Sequence, residues 1–245
     1  MFATLSQNAR RRTALIAGST LALAASVSLI AAPQAQAKAK IKCKDLVGYA
    51  QVDPVKSHNE GKSMHLHQFF GNTKLLQLKD PSAATYGELS GQGTNCVNPS
   101  DSASYWTPVL KNKKTGATIP AQAFTAYYRS WDFKDQGAGE AFPPNTRLVA
   151  TKHNWTCGNK ENVAPSQTIP DCSGATGKPG STLTAHVDFP SCWDGVLPKH
   201  SPGEVGDTND NKHFAYRNGG ACPAGFPHKM VSLRETVQFH YTGTG

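Results

Sequence analysis

The chain has 245 residues, with 25 Lys and Arg against 17 Asp and Glu and a formal net charge of +8. The basic excess is spread along the chain rather than gathered in a patch, which argues against nucleic acid as a partner and suits an anionic cell wall or glycan. No repeat and no internal boundary interrupts it, so one domain with a real core is the expected organisation after the leader.

The first 37 residues read as a secretory leader. Arg10, Arg11 and Arg12 open it, an Ala/Leu/Ile/Val-rich run follows, and Ala35-Gln36-Ala37 supplies a small-x-small cleavage site. The apolar run is long enough to be weighed as a membrane anchor, but its Ala and Ser content and the cleavage site favour removal. Cleavage leaves residues 38–245, removes three arginines and no acid, and takes the net charge from +8 to +5. No later stretch approaches membrane-spanning length, so the product is expected to be secreted, with no transmembrane segment.

Beyond the leader the apolar pattern has period two. Strands are expected over 46–52, 63–70, 104–110, 121–129, 147–155, 182–189, 213–217 and 230–241, with Gly, Pro, Asn and Asp between them. In 182–189, Leu183, Ala185 and Val187 fall on one face and Thr184, His186 and Asp188 on the other. A short helix is expected around 80–88, and 199–212 reads as a long polar loop. The fold class is mainly β: a β-sandwich or jelly-roll-like single domain with long loops.

Cys43, Cys96, Cys157, Cys172, Cys192 and Cys222 all follow the leader. An even count in an exported chain reads as a disulfide framework of up to three bridges. Of the fifteen pairings that six cysteines allow, Cys157 with Cys172 is the most natural local one, closing the Gly/Asn/Pro/Ser-rich loop between them. No C-x-x-C spacing points to a zinc cluster.

Four constellations have chemical content. His65 and His67 sit two apart on a predicted strand, so both imidazoles face one side. That arrangement suits a divalent metal or an acid/base pair near neutral pH, with Asp53 and His58 just upstream. The same spacing also fits two structural histidines on a half-exposed sheet. The run 188–195 carries a cysteine-pinned turn with Trp193 as a sugar-stacking platform and Asp194 as acid, base or orienter of a histidine. The same turn also fits Trp193 in the core and Asp194 bonded to its own corner. His200 and His213 flank the polar loop, with Tyr216 one step beyond. Tyr105-Trp106 and Tyr127-Tyr128-Arg129 give aromatics and an arginine of the kind that line a sugar groove, or that pack a core. There is no G-x-S-x-G elbow, P-loop, dinucleotide fingerprint or H-E-x-x-H motif.

Together these residues resemble the family catalogued as domain of unknown function 1996, found in secreted bacterial and fungal proteins. The resemblance runs from about 53 to 241. Its carriers are Asp53-Pro54, His65-Leu66-His67 with Gly71, Tyr105-Trp106-x-Pro108-x-Leu110, Tyr127-Tyr128-x-x-x-Asp132, Phe142-Pro143 with Arg147, the run 189–195, His213-x-x-Tyr216 and Cys222-Pro223. The family's His-Pro pair after Cys-Pro is replaced by Phe226-Pro227, with His228 displaced, so that histidine is not carried over. Some fungal members are joined to carbohydrate-binding modules, and the resemblance therefore implies glycan-related work.

The leading expectation is a secreted carbohydrate-active enzyme cleaving a polysaccharide or cell-wall glycan by hydrolysis or elimination. His65, His67, Asp53, Asp194 and His213 would carry the chemistry, with or without a divalent metal on the two clustered histidines. Trp193, Tyr105, Trp106 and Arg129 would bind substrate. The alternatives are a non-catalytic glycan- or wall-binding protein and a metal-scavenging protein. Nothing in the sequence makes the four constellations converge.

Overall fold

Strand-forming residues with an alternating pattern build the largest regular part of the described residues. The computed structural model describes residues 38–53, 65–129, 139–158, 166–172, 182–196 and 212–241. The expected leader, the loop 199–211, His58 and His200 lie outside the described residues. Strands β1 to β6 are Lys38–Cys43, Gly48–Ala50, His67–Gly71, Ser104–Pro108, Leu110–Lys111 and Thr118–Ile119. Strands β7 to β10 are Ala121–Arg129, Lys152–Cys157, Thr182–Asp188 and Cys192–Trp193. Strands β11 to β13 are Phe214–Ala215, His228–Lys229 and Ser232–His240. One four-residue helix, α1, spans Tyr86–Leu89.

The main sheet has the order β1-β7-β13-β9-β8 and is antiparallel throughout. Its register aligns the alternation of every strand. Val237 lies opposite Phe124 on β7 and Ala185 on β9, and Ala185 lies opposite Trp155 on β8. Side chains of one parity therefore share one face. On that inner face Phe124, Leu183, Val237 and Phe239 are buried. The face expected for Leu183, Ala185 and Val187 is the inner one. The opposite face carries polar contacts, among them Thr156 with His186 at 3.0 Å and the two-pronged Arg234–Asp188 pair.

A second sheet, β2-β3-β4, packs on the inner face. Phe70 of β3 stacks on Phe124 with ring centroids 4.6 Å apart, and Tyr105 of β4 lies 4.9 Å from the same ring. Burying a side chain of this size stabilises by about 1.5–3 kcal/mol, so these contacts hold the two layers together. Gly71 ends β3 at φ +83°, and a Cβ there would lie 2.3 Å from the Ala103 carbonyl oxygen. Only glycine allows that turn and the Asn72 N–H bond to the same carbonyl. This fixes β3 against β4 and thereby aims His67. The described residues belong to one compact unit of mainly β, sandwich-like architecture.

Three disulfides join Cys43 to Cys96, Cys157 to Cys172 and Cys192 to Cys222. The local pairing expected for Cys157 is the one formed. Each closes a loop of 15 to 53 residues, worth about 3–4 kcal/mol in the chain-entropy picture. Among the described residues no helix is long and apolar enough to cross a membrane.

The structure differs from the expected elements in several places, and the short strands β6, β10 and β12 fall outside every expected strand. A strand at Lys38–Cys43 pairs with β7 ahead of the first one expected. The stretch 147–151 is not strand, because Arg147 is buried and its guanidinium donates to the carbonyls of Ser82 and Ala84. Those same captured carbonyls split the expected helix at 80–88. A 3-10 turn at Pro81–Ala83 is followed, after extended Ala84, by α1 with a Thr85/Glu88 capping box.

Candidate functional site

The second sheet does not cover the whole inner face. A cleft of about 950 Å³ opens over β13, β9 and β8, walled by β4 and by the segment 142–150. Asp53, His65, His67, Tyr105 and Trp106 all line it. Five sequence candidates from three separate stretches thus meet at one place, and its size suits a substantial ligand.

His65 and His67 both line the cleft with ring centroids 4.8 Å apart, but β3 begins only at His67 and His65 precedes it in a bend, so strand alternation does not by itself set the pair. His65 is exposed, while His67 is buried and its Nδ1 has no hydrogen-bond partner among the described residues. Burial lowers the His67 pKa below the ordinary imidazole value. The neighbouring His65 adds to this, while Asp53 and the Val52 backbone oppose it. The ring is therefore held neutral near pH 7, the form that accepts a proton or ligates a metal. Among the described residues no three His, Cys, Asp or Glu side chains gather into a set that could hold a metal ion. The pair as described is suited to acid/base work.

The same cleft carries a hydrogen-bonded chain in which Tyr105 and Tyr128, expected from the sequence as aromatic contacts, join Asp101, which the sequence did not single out. Tyr105 donates to Asp101 at 2.9 Å and accepts from Tyr128 at 2.8 Å. Burial pushes both phenols well above their ordinary pKa, and it raises the Asp101 carboxyl despite the bond from Tyr105. Glu235 also lines the cleft, on the central strand of the main sheet. It is 3% exposed, its Oε2 has no hydrogen-bond partner among the described residues, and burial pushes its carboxyl up to about 8. The signal was present: Leu233, Glu235, Val237 and Phe239 share one strand parity, and an acid in that apolar phase is the exception to explain.

The remaining candidates lie elsewhere. Asp194, His213 and Trp193 are not among the residues lining the cleft. Trp193 belongs to a small sheet, β11-β10-β12, clamped by Cys192–Cys222, and Asp194 and His213 directly adjoin its strands β10 and β11. The His213 Nδ1–H donates to Asp194 at 2.8 Å, and the other carboxylate oxygen accepts from the Val196 N–H. Burial acts to raise the Asp194 pKa, but those bonds outweigh it and leave it lowered. The Trp193 indole N–H donates to the Val196 carbonyl, and its ring lies 5.0 Å from His228 and 6.5 Å from Phe214. His228 in turn contacts Glu140 at 3.2 Å. Arg129 falls on the face of β7 opposite Tyr128 and does not line the cleft. Thus Trp193 and Arg129, expected as substrate contacts, are not beside the histidine pair.

Comparison with known proteins finds no match among curated proteins and none among solved structures. The family model described as domain of unknown function (DUF1996) matches residues 53–244. That span includes every cleft residue named above, and the chain therefore belongs to this family.

Proposed function

We propose that this protein is exported and that its cleft is the active site of a carbohydrate-active enzyme cleaving a polysaccharide by acid/base catalysis. The observation that carries this reading is the meeting of Asp53, His65 and His67 with Tyr105 and Trp106 in one cleft of about 950 Å³. A neutral buried imidazole beside an exposed one provides a base and a partner that can relay its proton. Trp106, half-buried at the cleft wall, offers an aromatic surface against which apolar C–H surfaces of a sugar ring pack, whereas Tyr105, expected as a second such contact, is buried against Phe124 and supports the wall from behind. Three disulfides suit an oxidising, extracellular setting. The Asp194–His213 pair is read as support for the small sheet rather than as part of the reacting group.

The test is a product assay on the purified protein against a panel of cell-wall and plant polysaccharides, with chelator and with added divalent metals. New reducing ends or unsaturated sugars that vanish in a His65→Ala/His67→Ala variant support the reading. Binding to one polymer without product would instead identify a glycan-binding protein.

A further inference from the structure

Glu235 is the least expected residue of the main sheet. In register its neighbours are Ala126 on β7 and Val187 on β9, and neither side chain offers a hydrogen-bond donor. It is buried, it lines the cleft, and its Oε2 is left without a hydrogen-bond partner among the described residues. A buried carboxylate with no compensating donor or cation costs several kcal/mol. The group therefore keeps its proton, and a neutral carboxylic acid is a hydrogen-bond and proton donor. The titratable groups around it do not reverse this. The Tyr128 hydroxyl on β7 is within electrostatic range, and Tyr105 and Asp101 follow it on the far side. His153 lies two strands away in the same row, opposite Val187. The Arg147 guanidinium across the cleft donates to Ser82 and Ala84.

We propose that Glu235 is the proton donor of a hydrolytic step in this cleft, giving its proton to the oxygen of the bond that breaks. The inference rests on the reading of the cleft as a glycan-cleaving site. As the glycosidic C–O bond breaks, the departing oxygen takes the Glu235 proton. Water supplies the hydroxyl that ends on the sugar carbon, and its other proton passes to a cleft imidazole. That proton returns to the Glu235 carboxylate through solvent, so one water is consumed and the protein is restored. The raised pKa, about 8, keeps the donor loaded at neutral pH.

The experiment compares wild type with Glu235→Gln, which keeps the shape and removes the transferable proton. Substrates are the polysaccharide that wild type cleaves and a nitrophenyl glycoside of the same sugar, whose leaving group departs without protonation. The expected result is a loss of about 10²–10⁴-fold in kcat on the polymer, little loss on the nitrophenyl glycoside, and disappearance of the alkaline limb near pH 8. Equal polymer turnover in both proteins overturns the donor role alone, as does an equal loss on both substrates. A wild type that cleaves no polymer overturns the functional reading, and the donor role with it. Independently, the carboxyl-carbon resonance of Glu235 in ¹³C-glutamate-labelled protein should titrate near pH 8. Titration near the ordinary 4.5 overturns the inference whatever the activity.

Discussion

The cleft and the small β11-β10-β12 sheet both place histidine beside carboxylate, but they leave those groups in opposite conditions. In the small sheet the polar atoms are committed to one another: His213 to Asp194, Asp194 also to Val196, His228 to Glu140 and the Trp193 indole to Val196. Gly195, at φ +93°, brings the chain so close that a Cβ would sit 3.2 Å from the His228 ring. In the cleft, His67 Nδ1 and Glu235 Oε2 are buried without hydrogen-bond partners among the described residues. Satisfied networks stabilise a corner, whereas unsatisfied buried groups cost stability and persist where something else uses them. A histidine–carboxylate pair by itself therefore does not identify a reactive site; whether its buried polar atoms are already committed to one another is what separates these two regions.

The largest expected effect breaks the cleft. Replacing His67 by Ala should lower polymer turnover about 10²–10⁴-fold while the three disulfides still form, as checked by thiol titration and circular dichroism. Full turnover in that variant would remove the cleft from the chemistry. Next in size is the clamp. A Cys192→Ser/Cys222→Ser variant should lose about 3–4 kcal/mol of stability in denaturant titration, yet retain its per-molecule turnover below its melting temperature. A turnover collapse without unfolding would join the two regions into one site.

The pH dependence of stability sharpens the contrast. Glu235 goes from an ordinary 4.5 when unfolded to about 8 when folded. Between those values the folded protein binds more protons than the unfolded one, so stability falls as pH rises. The contribution is complete below about pH 4.5 and lost as pH climbs through 8. His67 works in the other direction: its lowered pKa makes stability fall as pH drops below 6.5. Glu235→Gln should therefore be about as stable as wild type at pH 5 and more stable at pH 9, as measured by melting temperature at each pH. A variant less stable at pH 9 would mean that the carboxylate is charged and paired. The smallest effect belongs to the partly exposed Asp194–His213 pair. His213→Ala should cost about 1 kcal/mol, or roughly 2–4 °C in Tm, with turnover changed less than tenfold. A loss of turnover matching that of His67→Ala would return this pair to the active site.

How much was legible depended on range. The strand at Ala121–Arg129 falls where its alternation puts it, and Thr182–Asp188 differs from expectation by one residue, because period two is written in adjacent residues. The rings of His65 and His67 lie together as expected, but not by that rule, since β3 begins only at His67. Strands β10 and β12 are two residues long and carry too little pattern to announce themselves, while β11 is the short core of the strand expected over 213–217. The segment after Arg147 has a strand-like composition, yet a buried guanidinium bonded to distant carbonyls holds it out of the sheet.

By itself, then, the sequence determined the β class and the alternation that separates an inner from an outer face, and it made Cys157–Cys172 the most natural of the fifteen pairings. Each of these rests on spacing over a short stretch of one chain. The tertiary structure alone decided that Asp53, His65, His67 and Trp106 share a cleft while Asp194, His213 and Trp193 do not. It alone turned Glu235 into a buried acid, because the register of β13 between β7 and β9 sets which groups surround it. Proximity between strands far apart in sequence, and the loss of water around a carboxyl, are properties of packing that local pattern does not record.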